Sequence, residues 1–388
     1  MRTDDAALSW LAREQDGAKV RLPGTDRATP PAATMAMAAR AAAKVGVTRV
    51  ADITRLDTIG IPTWQAVRPL SRTLAVSQGK GVTDELARLS AVMESVEIWH
   101  VEQPMAPVET AAPRSLADRL GYDVGALVRS TPSLLHDDLP LEWVAARSLV
   151  DATPTLVPVD VVRLSLERRT GWNPPVFLES TNGLASGNTR VEAVLHALYE
   201  VIERDAVTTV VGGDPGVRVD PRTSGSAVVD GLCTMIERAG VAYEVRLVPS
   251  PTGLPCFLAW VACDDYPAAM YGFGCHLSAE IALTRALTEA AQTRLAYIAG
   301  ARDDLQDDID DAGTKRRREP SGTAAAVGDL LPSPVDHPSL LDDLEEVVKR
   351  ATAAFGHPPM VVDLSRDDIG VPVVKVVAPG SRVSPEVL

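Results

Sequence analysis

The sequence predicts an α/β (α+β) fold in which loops and helix starts converge on one cleft, and three observations predict it. A strand-like run, a Gly/Ser/Asn-rich loop and an alanine-rich helix follow one another three times. Each of those helices carries two polar, acid-type residues three positions apart, preceded by another Glu eight or nine positions earlier. The copies are Glu85 with Glu94 and Glu97, Glu192 with Glu200 and Glu203, and Glu280 with Glu289 and Gln292. Finally, 388 residues with 46 % apolar and 23 % charged content suffice for two or three compact units and a large core.

Residues 1 to about 46 read as an N-terminal helical region, in which ATMAMAARAAAKVGV is an alanine-rich helix stopped by Gly46. Residues 47–388 read as the main domain. TRVADITRLDTIGIPTWQAVRP supplies short β-like runs broken by Gly60, Pro62 and Pro69. SQGKG (77–81) reads as a flexible, donor-rich loop before the first acidic helix. LEWVAARSLV and PTLVPVDVVRL are strand-like, and ESTNGLASGN is a turn-rich loop before the second acidic helix. VAYEVRLVPSPTGLPCFLAWVACD reads as two buried strands around a turn, and YGFGCHLS leads into the third acidic helix. Residues 303–338 combine charge runs, small residues and prolines, which predicts a mobile surface loop. SLLDDLEEVVKRATAAFG is an amphipathic helix, and MVVDLSRDDIGVPVVKVVAPG a closing pair of strands.

The net charge of −14 argues against a nucleic-acid partner, which needs a basic surface. It leaves room for a nucleotide, which needs a local cation and a metal. The opening MRTDDAALSWLAREQDG places acids where a signal peptide has its basic end, and no run of about eighteen apolar residues follows. The expectation is a cytoplasmic protein without a membrane partner. Cys233, Cys256, Cys263 and Cys275 show no metal-ligand spacing and read as free thiols.

Residues at i and i+3 share a helix face, so each acidic segment presents a small set of oxygen ligands from a rigid platform. Mg2+ takes such a shell, completed by waters and substrate phosphates. A single such pair is ordinarily a solvated face; three copies at related spacing among apolar residues point to a shared site. Lys80 supplies a cation in a Gly-rich segment that departs from the Walker A pattern. Asn188 precedes the second acidic helix, whose N-terminal amides suit an anion. An ordinary capping loop would look the same. Arg204 and Arg294 could grip phosphate bidentately or form surface ion pairs. No nucleophilic constellation stands out, so the implied chemistry is electrostatic.

SQGKG (77–81), SAVMESVE (90–97), STNGLASGNTRVEAVLHALYEVIERDA (180–206) and ALTEAAQTRLAYIAGARDD (286–304) together resemble the YcaO family. Two further stretches match, TRVADITRLDTIGIPTWQAVRP and IGVPVVKVVAPG, so the resemblance spans residues about 48 to 380. It implies a YcaO-like fold around one ATP cleft, and an enzyme that uses ATP and Mg2+ to phosphorylate a peptide backbone amide. Attack on the activated carbon then gives an azoline or amidine by cyclodehydration, or a thioamide with a sulfur donor. The resemblance further implies that Glu94, Glu97, Glu200 and Glu203 hold Mg2+. It places Lys80, Ser90, Asn188, Glu192, Arg204, Gln292 and Arg294 on nucleotide or phosphates. The implied partners are a precursor peptide and a separate leader-binding or sulfur-delivery protein, with a homo-oligomer left open. Ile98 stands where the family often has Arg, and the chain ends SRVSPEVL rather than in a PxPxP tail, which adds weight to thioamide formation. With no fused adenylating-enzyme-like or leader-binding domain read in it, the chain is expected to be a stand-alone member. A non-catalytic YcaO-like subunit that presents a peptide is the alternative, although buried carboxylates are costly without a cation.

Overall fold

In a computed structural model of the chain, the residues described are 11, 17–165, 176–264, 266–301, 322–332 and 336–384. The elements begin with β1 (Val20–Leu22), β2 (Thr25–Arg27), α1 (Pro31–Val45), β3 (Arg49–Asp52), β4 (Thr63–Val67), β5 (Val76–Lys80) and α2 (Asp84–Val101). They continue with β6 (Glu109–Ala111), α3 (Pro113–Leu120), β7 (Leu141–Ser148), β8 (Pro154–Pro158), β9 (Leu184–Ser186) and α4 (Arg190–Val211). Next come β10 (Val217–Asp220), α5 (Ala227–Arg238), β11 (Ala242–Leu247), β12 (Cys256–Cys263), β13 (Tyr266–Cys275) and α6 (Ala279–Ala299). Last are β14 (Ala325–Ala326), α7 (Val327–Leu330), α8 (Leu340–Phe355), β15 (Met360–Asp363) and β16 (Val373–Val377). No helix among the described residues is long and apolar enough to cross a membrane.

The chain divides into two compact units. The first comprises Met1–Lys19, Val96–Thr208 and His337–Leu388, the second Val20–Ser95 and Thr209–Asp336. In the first, an antiparallel sheet runs β6-β7-β15-β16-β9, with β8 on β7. Trp143, Phe177 and Leu116 are buried together beneath it. The valines of VVKVV in β16 are all buried, and so is the lysine among them. Helix α8 begins in a capping box, in which Ser339 and Asp342 satisfy each other's backbone amides, and ends at Gly356 with φ 76°.

In the second unit the sheet runs β13-β12-β11-β10-β14, and a smaller one β3-β4-β5. One face of the larger sheet is apolar and packs on α5 and α6, where Leu283 and Leu287 have no exposed surface. Burial of each is worth about 1.5–3 kcal/mol relative to exposure. Two glycines make close helix-on-strand packing possible. A Cβ added to Gly79 of β5 would lie 2.0 Å from Ala91 N, and one on Gly272 of β13 would lie 2.1 Å from Ala290 N. Helices α2 and α6 therefore meet their strands in the same way.

Several expectations are corrected. The N-terminal region is not wholly helical: Val20–Leu22 and Thr25–Arg27 pair as a hairpin, because Pro23 and Gly24 (φ 70°) form a tight turn. SQGKG is not a flexible loop; Val76–Lys80 is a strand paired with β4, four of its five residues buried. Within ESTNGLASGN, Leu184–Ser186 pairs with β16 as a buried strand. Of the loop expected at 303–338, residues 303–321 and 333–335 lie outside the described residues. Ala325–Ala326 pairs parallel to β10, and Val327 is buried in the second unit's core. The other strands and helices read from the sequence are present, and the four cysteines are free thiols.

Candidate functional site

The first unit holds Glu97, Asn188, Glu192, Glu200, Glu203 and Arg204. Glu97 lies in the last turns of α2. Its Oε1 accepts two hydrogen bonds from one residue of β9, from Ser186 N at 2.7 Å and from Ser186 Oγ at 2.6 Å. After β9 the chain turns through Gly187 and Asn188 into α4. There Glu192 folds back over the helix start: Asn188 Nδ2 donates to Glu192 Oε2 at 2.9 Å, and Asn188 N to the same oxygen at 3.3 Å. Asn188 and Glu192, both expected at a nucleotide, thus engage each other in a capping arrangement. Two turns along α4, Glu200 is half-buried, Glu203 is buried at 2 % exposure, and Arg204 is half-buried.

Sequence reasoning missed two residues of this unit. Lys375 of β16 is buried, and its ammonium donates to the carbonyl of Ser180 at 2.6 Å. Burial pulls its pKa down to about 8, while the negative charge of Glu200 works in the opposite direction. Asp205, at 1 % exposure, accepts from both the backbone amide and the guanidinium of Arg382. A lysine within VVKVV was the visible signal for Lys375: a charge in the middle of an apolar strand needs a partner.

The second unit holds Lys80, Ser90, Glu94, Gln292 and Arg294. Lys80 closes β5 and pairs with the Glu289 carboxylate of α6, both side chains about one-fifth exposed. Gln292 follows one turn later and is half-buried. Arg294 is buried, with Nε on Asp57 Oδ2 at 2.9 Å and Nη1 on Cys263 Sγ at 3.0 Å. Burial works against its charge, but the Asp57 carboxylate holds the guanidinium above its ordinary pKa. Ser90 and Glu94 sit four apart on α2, half-buried. Asp57 had no signal in spacing or composition.

The donor sets fit a nucleotide and a hard cation. In the second unit both amide atoms of Gln78, at 1 % exposure beside Lys80, have no hydrogen-bond partner among the described residues, nor does Nε2 of its cross-strand neighbour Gln65. Buried amides in that state are completed by a water or a ligand. In the first unit the acids are oxygen donors on rigid helices, the chemistry Mg2+ selects. Among the described residues no group of three or more His, Cys, Asp and Glu side chains stands ready as a metal site. Mg2+ held by one or two carboxylates, waters and phosphates does not require one.

A family model described as "YcaO cyclodehydratase, ATP-ad Mg2+-binding" matches residues 78–382. An uncharacterized protein of Mycobacterium tuberculosis is 39 % identical over 371 residues, 93 % of this chain and 83 % of that one. The structure of YcaO from Methanopyrus kandleri bound with AMPPCP and Mg2+ superposes with a TM-score of 0.75 at 27 % identity, covering 94 % of both chains. A heterocyclase in complex with substrate and cofactor also reaches 0.75, at 22 % identity, over 95 % of this chain and 55 % of that one. At that identity the likeness is one of fold.

Proposed function

The chain belongs to the YcaO family, and from that premise we propose that it is an ATP- and Mg2+-dependent enzyme that activates a backbone amide of a ribosomally made peptide. The reaction assigned is cyclodehydration, to an azoline or a macrocyclic amidine. The observation that carries this reading is the match, over 94 % of both chains, to a YcaO bound with AMPPCP and Mg2+. Glu94, Glu97, Glu200 and Glu203 are the proposed Mg2+ ligands. Lys80, Ser90, Asn188, Glu192, Arg204, Gln292 and Arg294 are the proposed contacts to nucleotide and phosphates. When bound there, ATP and Mg2+ would supply a phosphoryl group for the amide oxygen and a positive charge to offset that of the phosphates.

The chain's own residues bind and orient. Lys80 can exchange Glu289 for a phosphate oxygen at little cost, because a partly exposed ion pair is weak. Arg294 is held by Asp57 and Cys263 through two of its five donors, which leaves further N–H groups for an anion. The proposed partners are the precursor peptide and a separate leader-binding or sulfur-delivery protein.

Calorimetric titration with ATP, with and without Mg2+, tests the reading on wild type and on the Glu94→Gln, Glu203→Gln double variant. Tight, Mg2+-dependent binding that the variant loses supports it. Absence of binding under every condition would overturn it in favour of a peptide-presenting subunit. Mass spectrometry of a modified peptide then tests the product. Loss of one water supports cyclodehydration, whereas exchange of oxygen for sulfur would replace that assignment with thioamide formation.

A further inference from the structure

The Glu97 carboxylate is oriented by the sheet behind it. Ser186 ends β9, opposite Val373 of β16 in the antiparallel register, and the next residue of that sheet face along β16 is Lys375, opposite Leu184. Residues two apart on one strand, and their cross-strand partners, point to the same face of a sheet. Ser186 and Lys375 are therefore diagonal neighbours on one face. Both are buried, at 6 % and 2 % exposure. Ser186 gives both its amide and its hydroxyl to Oε1 of Glu97, across 89 residues of sequence. Lys375 anchors the same strand pair by reaching the carbonyl of Ser180, just upstream of β9.

Two donors converging on one carboxylate oxygen fix both the position and the plane of the group. Both of these donors are neutral, and together they constrain how the acid is turned. The residue that projects the hydroxyl sits in a strand paired with β16 rather than in a loop. That is how supporting residues around a metal site act: they set the orientation of the ligand, and their loss weakens the metal by about 10- to 100-fold.

On the basis of the proposed Mg2+ site, we propose that Ser186 is a positioning residue that orients the Glu97 carboxylate for the cation, with the β9–β16 strand pair as its rigid support. The chemical class it serves is a divalent metal carrying a nucleoside triphosphate.

The test uses the full chain carrying Ser186→Ala, Ser186→Thr or Glu97→Gln. Mn2+ binding in the presence of ATP is read by electron paramagnetic resonance, Mg2+-dependent ATP binding by calorimetry, and folding by thermal melting. Ser186→Ala should weaken metal affinity about 10-fold, the low end of the expected range because the backbone donor remains. Its melting temperature should stay close to wild type, and Ser186→Thr, which keeps the hydroxyl on a β-compatible residue, should restore affinity. Wild-type metal binding in Ser186→Ala would overturn the proposal. So would a loss of affinity that tracks a lower melting temperature and is not rescued by Thr, since that marks a purely structural role. If Glu97→Gln abolishes metal binding while Ser186→Ala leaves it intact, positioning alone falls. If Glu97→Gln also binds metal normally, the ligand assignment falls, and the positioning role with it.

Discussion

The two units hold their acids in different ways. In the second, Glu289 meets the ammonium of Lys80 and Asp57 the guanidinium of Arg294, so each of these carboxylates already has a counter-charge. In the first, Glu97 and Glu192 are gripped by neutral donors, the amide and hydroxyl of Ser186 and the amides of Asn188. A counter-charge stabilises an acid and also satisfies it. A neutral donor fixes its orientation and leaves its charge to act on something else. The difference suits Lys80 and Arg294 to meeting an anion, and Glu97 to being held in a fixed orientation. The first unit also holds counter-charged acids, such as Asp205 against Arg382, and a buried ammonium, Lys375, under the influence of Glu200.

The largest effect is expected at the more deeply buried of the two pairs just compared. Asp57→Asn leaves the Arg294 guanidinium, 9 % exposed, without its carboxylate. Losing one partner of a buried pair costs about 3–5 kcal/mol. Chemical denaturation should show a correspondingly lower midpoint; an unchanged midpoint would mean that the pair is not structural and would erase the contrast between the units.

Lys375 comes next. Its folded pKa, about 8, lies below its ordinary value of 10.5, with burial as the leading cause. The unfolded chain therefore binds the extra proton between those values, and stability rises with pH across that window. Below about pH 8 the cost of burying the charge is constant. The metal-free protein should gain at most about 3 kcal/mol between pH 8 and 10.5. Lys375→Met should lack that gain, and parallel pH profiles for the two proteins would refute the assignment.

Lys80→Met should have the smallest effect on folding. The Lys80–Glu289 pair is about one-fifth exposed on each side, so its loss should cost less than about 1 kcal/mol. ATP affinity, measured by calorimetry, should nevertheless fall by about tenfold or more if Lys80 meets phosphate, since hydrogen bonds to charged groups contribute about 1.5–3 kcal/mol. A large loss of stability with unchanged ATP affinity would reverse the roles given to the two units.

Legibility in the sequence follows interaction range. The three acidic helices, their i, i+3 pairs and the stop of α1 at Gly46 were readable, because capping and helical periodicity act within a few residues. The strand character of SQGKG was not. Glycine-rich composition reads locally as a loop, whereas Gly79 is there because helix α2 leaves no room for a Cβ. The hairpin at Pro23-Gly24 carried a turn signal that the helical reading of residues 1–46 passed over.

By itself the sequence determined the mixed helix-and-strand class, the acid-bearing helix faces and, through motif resemblance, the family. The tertiary structure alone decided which group holds which acid. Ser186 and Glu97 are 89 residues apart, Lys80 and Glu289 209, and Asp57 and Arg294 237. No local propensity encodes such a pairing. It exists because burying the apolar faces of the sheets and helices brings distant polar groups into the same dry space, where each must find a partner at hydrogen-bond distance.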